Sequence, residues 1–200
     1  MASRHLYDLL EAHWGGPIDT FAAVWSEGLS VEETASRIEA DLNSAYKVTL
    51  ANLAEGFEGD QIPDDYEGIV LIGEFESWSL TLQVQWLDVT EKKVLSTLSR
   101  DGGCAIGINW HSGGDNHRIF HAVDGLTVDD APMMYIPESL KPYAHGLTMP
   151  EDWDVPVDQG SPTEEMVTTS LILIGRIVGR EIDQEWLEVP HMRFIIRRNI

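Results

Sequence analysis

The stretch Trp78-Ser79-Leu80-Thr81-Leu82-Gln83-Val84-Gln85-Trp86 decides the fold class. Apolar side chains take every second position, and Ser79, Thr81, Gln83 and Gln85 fill the places between. Period two sends the apolar set to one side of an extended chain and the polar set to the other, so the stretch reads as a half-buried strand. Ile69 to Phe75, just before it, is nearly continuously apolar and reads as a strand buried on both sides. Downstream, Cys104, Ile106, Ile108 and Trp110 alternate again, and Ser112 to Asn116 forms a turn. Residues 117–123 return as the hairpin partner, and Asp124-Gly125 turns the chain into residues 126–130. Met192, Phe194 and Ile196 alternate against Arg193 and Arg197 in a closing strand.

Helices flank these strands. Leu6, Leu9 and Leu10 recur at helical spacing over residues 3–13, and Gly15-Gly16-Pro17 ends that helix. A short apolar strand runs from Thr20 to Trp25. Ser30 and Glu33 form a capping box for a helix whose face is Val31, Ala35, Ile38 and Leu42. Thr90 and Glu91 open a helix with Val94, Leu95 and Leu98 on one face, and Gly102 suits its end. Pro162, followed by Glu164 and Glu165, starts the longest helix, which ends at Gly179. Asp183 caps a short turn through Leu187. The pattern predicts an α+β fold: a mostly antiparallel central sheet of about five to six strands, with helices packed on one face. Residues 1–200 read as a single globular domain. Within it, residues 43–66 form an irregular acidic insertion with a short helix around 49–55, and the proline-rich segment 131–162 is irregular.

Charge narrows the partners. The 200 residues carry 34 acidic and 13 basic side chains, a formal net charge of -21. So acidic a surface neutralises few phosphates and is repelled by anionic lipid, which points away from nucleic acid and membrane. No apolar run approaches the roughly 20 residues of a membrane helix. Asp8 and Glu11 stand where a secretory signal is apolar, and Cys104 is the only cysteine, so a cytoplasmic protein is expected. The acids gather at Glu55, Glu58, Asp60, Asp64 and Asp65, and again at Asp152, Asp154 and Asp158 beside Trp153. These residues are the expected binding surface for a basic partner. The 152–158 spacing resembles a calcium loop, but Pro156 and the absence of a closing Glu favour a solvated acidic loop.

The densest chemistry lies in the 111–124 hairpin, with His111, His117 and His121. His117 and His121 share strand parity but are separated by about 13 Å along an extended chain, too far to grip one ion alone. Cys104, on the parity of Ile106 and Trp110, reads as a small buried hydrophobe with a raised pKa. Phosphate-binding loops and nucleophile elbows are absent from the sequence, and no cofactor is expected. Of the seven tryptophans, Trp78, Trp86 and Trp110 read as core; Trp14, Trp25, Trp153 and Trp186 lie near element ends, where they either close the core or anchor a partner.

The chain also resembles a family of small uncharacterised actinobacterial proteins, a domain of unknown function. The resemblance is carried by Gly28-Leu29-Ser30-Val31-Glu32-Glu33, Ser77-Trp78-Ser79-Leu80, Val94-Leu95-Ser96-Thr97-Leu98-Ser99 and Arg118-Ile119-Phe120-His121-Ala122-Val123-Asp124-Gly125. Gly160-Ser161-Pro162 and Val178-Gly179-Arg180 complete it, while the 43–66 stretch and the closing strand depart from it. It implies one domain, carries over no catalytic residues and leaves the function open. The expected function is a non-enzymatic acidic binding protein, immunity- or antitoxin-like, that neutralises a basic protein partner. The alternatives are a metal-dependent or other hydrolase centred on the 111–124 hairpin, and a structural or regulatory module of a larger assembly, with homo-oligomerisation through a sheet edge as one form of it.

Overall fold

The computed structural model describes residues 5–15, 18–53, 66–84, 86–111, 117–149 and 162–197. The chain is α+β, as the alternation predicts, but the sheet is larger than the sequence suggests. Its strands are β1 (Thr20–Glu27), β2 (Ala40–Val48), β3 (Tyr66–Phe75), β4 (Trp78–Val84), β5 (Cys104–His111), β6 (Arg118–Val123), β7 (Leu126–Pro132) and β8 (His191–Arg197). They form one sheet of eight strands in the order β2-β8-β3-β4-β1-β5-β6-β7, with every neighbouring pair antiparallel. The strand missing from the sequence reading is β2, which takes the first residues, 43–48, of the supposed irregular insertion. The preceding helix α2 (Val31–Arg37) stops well short of Leu42, and Glu39 turns the chain at φ 60°.

The second correction concerns the faces. Helices α1 (His5–Trp14), α4 (Pro162–Val178) and α5 (Gln184–Glu188) cover one side of the sheet; α2 and α3 (Lys92–Ser99) cover the other. On the first side Phe21, Trp25, Leu80, Leu82, Ile108 and Trp110 pack with Leu6, Leu10, Val167, Leu171 and Ile174. On the second, Ala22, Val24, Val70, Ala105 and Phe120 meet Ala35, Ile38, Leu95 and Leu98. All of β4 is therefore buried, including its polar positions. Of its polar side chains Ser79, Thr81 and Gln83, two find partners, which offsets the cost of burying them. Thr34 and Ser79 share a hydrogen bond of 2.6 Å, and Gln83 donates to Asp88 and accepts from the Val89 N–H. Small residues also let the short helices come close. A Cβ on Gly107 would touch Leu95, Thr90 and Val24 at 3.4 Å.

Local chemistry sets the ends of elements. The Ser30–Glu33 capping box forms as the sequence implies. The expected short helix near 49–55 is a 3-10 turn at Leu50–Asn52, and the proline-rich stretch holds another at Glu138–Tyr143. The remainder of the acidic insertion, 54–65, lies outside the described residues. Both outer strands are bulged. Residues 42–45 of β2 stand against Phe194 alone, and Val128 of β7 has no counterpart on β6. In the first bulge the Ser44 hydroxyl replaces the ladder, accepting the Ile195 N–H at 2.9 Å and donating to the Asp41 carbonyl.

Strand β8, between β2 and β3, carries the buried Arg193. Its Nε donates to the Leu53 carbonyl at 3.2 Å, and its guanidinium lies 4.8 Å from the centre of the Tyr46 ring. Beside it, a Cβ on Gly73 would sit 2.3 Å from His191 Nδ1. The imidazole has little room to retreat, being stacked on Trp186 with ring centres 3.9 Å apart. Gly73→Ala is therefore expected to cost about 1–3 kcal/mol through overpacking. A thermal melt followed by circular dichroism should show a midpoint lowered by roughly 2–10 °C.

Candidate functional site

Two places in the described structure bring chemistry together. The first is a cleft of about 910 Å³ at the β2–β8–β3 end of the sheet. The capping box fixes where α2 begins, which places Val31 and Glu32 on the cleft wall. β2 contributes Leu42, Ala45 and Lys47; β3 contributes Ile72 and Glu74; β8 contributes His191, Met192 and Phe194. The far wall is α5 and its flanks, with Arg180, Glu185, Trp186 and Val189. Leu42 and Val189 in this lining are exposed, as is Tyr46 next along β2.

The far wall is rigidly built. Asp183 accepts the Trp186 N–H at 2.8 Å and so caps α5. The same carboxylate takes a two-pronged bond from Arg180, whose guanidinium also lies near Glu76 and Glu185. Arg180 is thus a cation already matched by carboxylates. The Trp186 indole donates to the Glu74 carbonyl at 2.8 Å, and His191 Nε2 lies 2.7 Å from the Trp186 carbonyl. The cleft therefore has an apolar floor, the carboxylates Glu32, Glu74 and Glu185 around it, and Lys47 and Arg180 as its cations.

The second place is on the β5–β6 hairpin. Ile106 stands opposite His121, which puts Cys104 on the same face one diagonal step away. Cys104 Sγ lies 3.3 Å from His121 Nε2, and His121 Nδ1 lies 2.7 Å from Ser139 Oγ. The Ser139 N–H donates to Asp129 Oδ2 at 3.1 Å. Burial, with the Glu27 charge behind it, pushes the Cys104 thiol up to about 12. Burial also lowers the His121 pKa, against the pull of Asp129. The raised thiol agrees with the sequence reading of Cys104, but its imidazole neighbour was not anticipated. Parity along either strand alone does not reveal the pair; only the hairpin register does, and a slip of one residue would set His121 on the other face.

The remaining sequence candidates fall as follows. His111 ends β5 exposed, with its N–H 3.4 Å from Nδ1 of the buried His117. His121 turns instead to Cys104 and Ser139, so the three histidines do not share one partner set. Among the described residues no group of three potential metal ligands comes together. Glu55, Glu58, Asp60, Asp64 and Asp65 lie outside the described residues, as do Asp152, Trp153, Asp154 and Asp158. Trp25 and Trp186 are buried and close the core rather than face a partner, while Trp14 is partly exposed. Among the described residues no helix is long and apolar enough to cross a membrane. No family model, curated protein or solved structure matched the chain.

His191 gives the cleft a pH dependence. Burial, with Lys47 nearby, outweighs the bond to the Trp186 carbonyl and lowers its pKa below the ordinary imidazole value. The unfolded chain then binds the proton more readily, so this contribution is intact above about pH 6.5 and is lost as pH falls below it. Between about pH 7 and pH 5, His191→Gln should show a smaller drop in melting midpoint than the unmodified protein. Equal drops in the two proteins would refute the assignment.

Proposed function

We propose that the protein is a binding protein whose cleft takes an extended, basic and apolar segment of a protein partner. The observation that carries this is the cleft beside the β2 edge, with Ile72, Met192 and Phe194 as floor and Glu32, Glu74 and Glu185 around it. The exposed Leu42 and Val189 on its walls supply affinity through burial, and surrounding carboxylates select lysine- and arginine-rich segments while steering their approach. The net charge of -21 acts over longer range in the same sense. Masking of a basic toxin, as an immunity protein or antitoxin does, is the biological form this reading takes, and the actinobacterial resemblance remains part of the proposal. A synthetic peptide alternating lysine and leucine is a direct test by calorimetry. Binding should weaken about tenfold or more between low and high salt, as surface charges are screened. Glu32→Lys should weaken it about threefold and Leu42→Asp by more, with unchanged melting midpoints. Salt-independent binding, or equal affinity for all three proteins, would sink the proposal.

A second reading, self-association, draws on the opposite edge. β7 is the outermost strand there, and Leu126 and Val128 on it are exposed. Unpaired backbone groups beside exposed apolar side chains are a template for strand pairing between copies. Light scattering over a concentration series should then show the mass rising towards two chains, and Leu126→Lys should hold it at one. A single-chain mass at every concentration would rule this reading out.

A further inference from the structure

The strand that rims the cleft leaves backbone groups unused. Their orientation follows from the sheet register. β8 lies between β2 and β3, so its N–H and C=O groups alternate between the two neighbours. The Ile195 N–H reaches across to Ser44 of β2, which fixes the direction. Arg193 and His191 therefore point to β2 as well, where they face Tyr46 and Val48. Lys47 stands between those two, opposite Met192, and turns its own N–H and C=O away from β8 to the outer edge. Thr49 is still extended, at φ -81° and ψ 167°, and presents its N–H on the same side, while its carbonyl accepts the Asn52 N–H. Among the described residues no strand lies beyond β2, and Tyr46 and Lys47 are exposed. Unused donors and acceptors along an exposed edge are the groups that strand addition employs.

We propose that the partner's segment binds by adding itself to β2 as an antiparallel strand, hydrogen-bonded to Lys47 and Thr49. This rests on the cleft reading above and states how the segment is held. Side chains set its register. Lys47 shares a face with Met192 and lines the cleft. Like charges directly opposite repel, so the added strand sets its apolar residues on that side, where Leu42 is also exposed. Its basic residues then fall on the other face, where the exposed Tyr46 ring receives the stem and charge of a lysine. A second copy of the chain suits this edge poorly. The bulge at residues 42–45 leaves only the Tyr46–Val48 end in regular register, and two bodies of net charge -21 repel. A short basic segment meets neither obstacle.

The test uses the full chain and the lysine–leucine peptide, with backbone amide exchange followed residue by residue by NMR. In the free protein the Lys47 and Thr49 amides should exchange fast, and those of Tyr46 and Val48, bonded to β8, slowly. Saturating peptide should slow Lys47 and Thr49 by about tenfold or more. Two further peptides carry N-methyl groups, one on every leucine and the other on every lysine. In antiparallel addition the leucine opposite Lys47 exchanges both backbone bonds with it. Methylated leucines should therefore weaken binding by about tenfold or more, and methylated lysines by less than about threefold. If the parent peptide binds without slowing Lys47, or all three peptides bind equally, strand addition is overturned while the cleft reading stands. A parent peptide that does not bind removes both. A Lys47 amide already slow in the free protein, and slower at higher protein concentration, puts a second copy on this edge and also overturns the proposal.

Discussion

The pairing of β8 between β2 and β3 is the constraint on which the rest depends. Ala40 pairs with Ile196, and Gly68 pairs with the same residue from the other side. Among the described residues β2 has no other strand partner, so without β8 it leaves the sheet and takes one wall of the cleft with it. The pairing closes a very long stretch of chain, and loop-closure entropy must be met before the strand's burial repays it. Arg193 sharpens the requirement. Its buried guanidinium needs the Leu53 carbonyl and the Tyr46 ring, so β8 docks correctly only when β2 and the turn after it are in place. Arg193 thus ties β8 to β2 and to the residue after the 3-10 turn in the native state.

The two faces of the sheet solve burial differently. The face under α1 and α4 uses large side chains, among them Phe21, Trp25, Leu80 and Trp110. The face under α2 and α3 mixes small residues such as Ala22, Ala105 and Gly107 with Val24, Val70 and Phe120, and at Gly107 the small residue lets α3 come close. Hydroxyl pairs such as Thr34–Ser79 supply the specificity that bulk supplies on the other side. Asn109 extends the device by donating to Thr90 Oγ1 at 2.7 Å.

How much of this was legible in the sequence depends on range. Periodicity located β4 and β5, the capping box at Ser30 and the long helix from Pro162, because each is a local property of consecutive residues. Alternation could not say that Ser79, Thr81 and Gln83 are buried: a hydroxyl or amide facing a helix and one facing water read alike in sequence. β2 was hidden because its bulge breaks the period and its partner among the described strands, β8, is far away in the chain. The Cys104–His121 pair required the hairpin register, and the cleft required β2 and β8 side by side. Charge drew attention to acidic loops, whereas the described carboxylates that share a cavity, Glu32, Glu74 and Glu185, come from separate elements and form no run.

The bulges in β2 and β7 bear on how the molecule behaves when crowded. An open sheet exposes two borders, and copies that join the border of one to the opposite border of the next build a filament without end. Such growth needs a regular run of donors and acceptors on both borders. Here Ser44 and residues 42–45 interrupt one, and the unmatched Val128 interrupts the other. A contact through β7 alone, over the residues beside Val128, would join like to like and close at two copies. Colloidal stability then rests on backbone irregularity as well as on charge, and repairing either bulge would remove a safeguard that salt cannot screen.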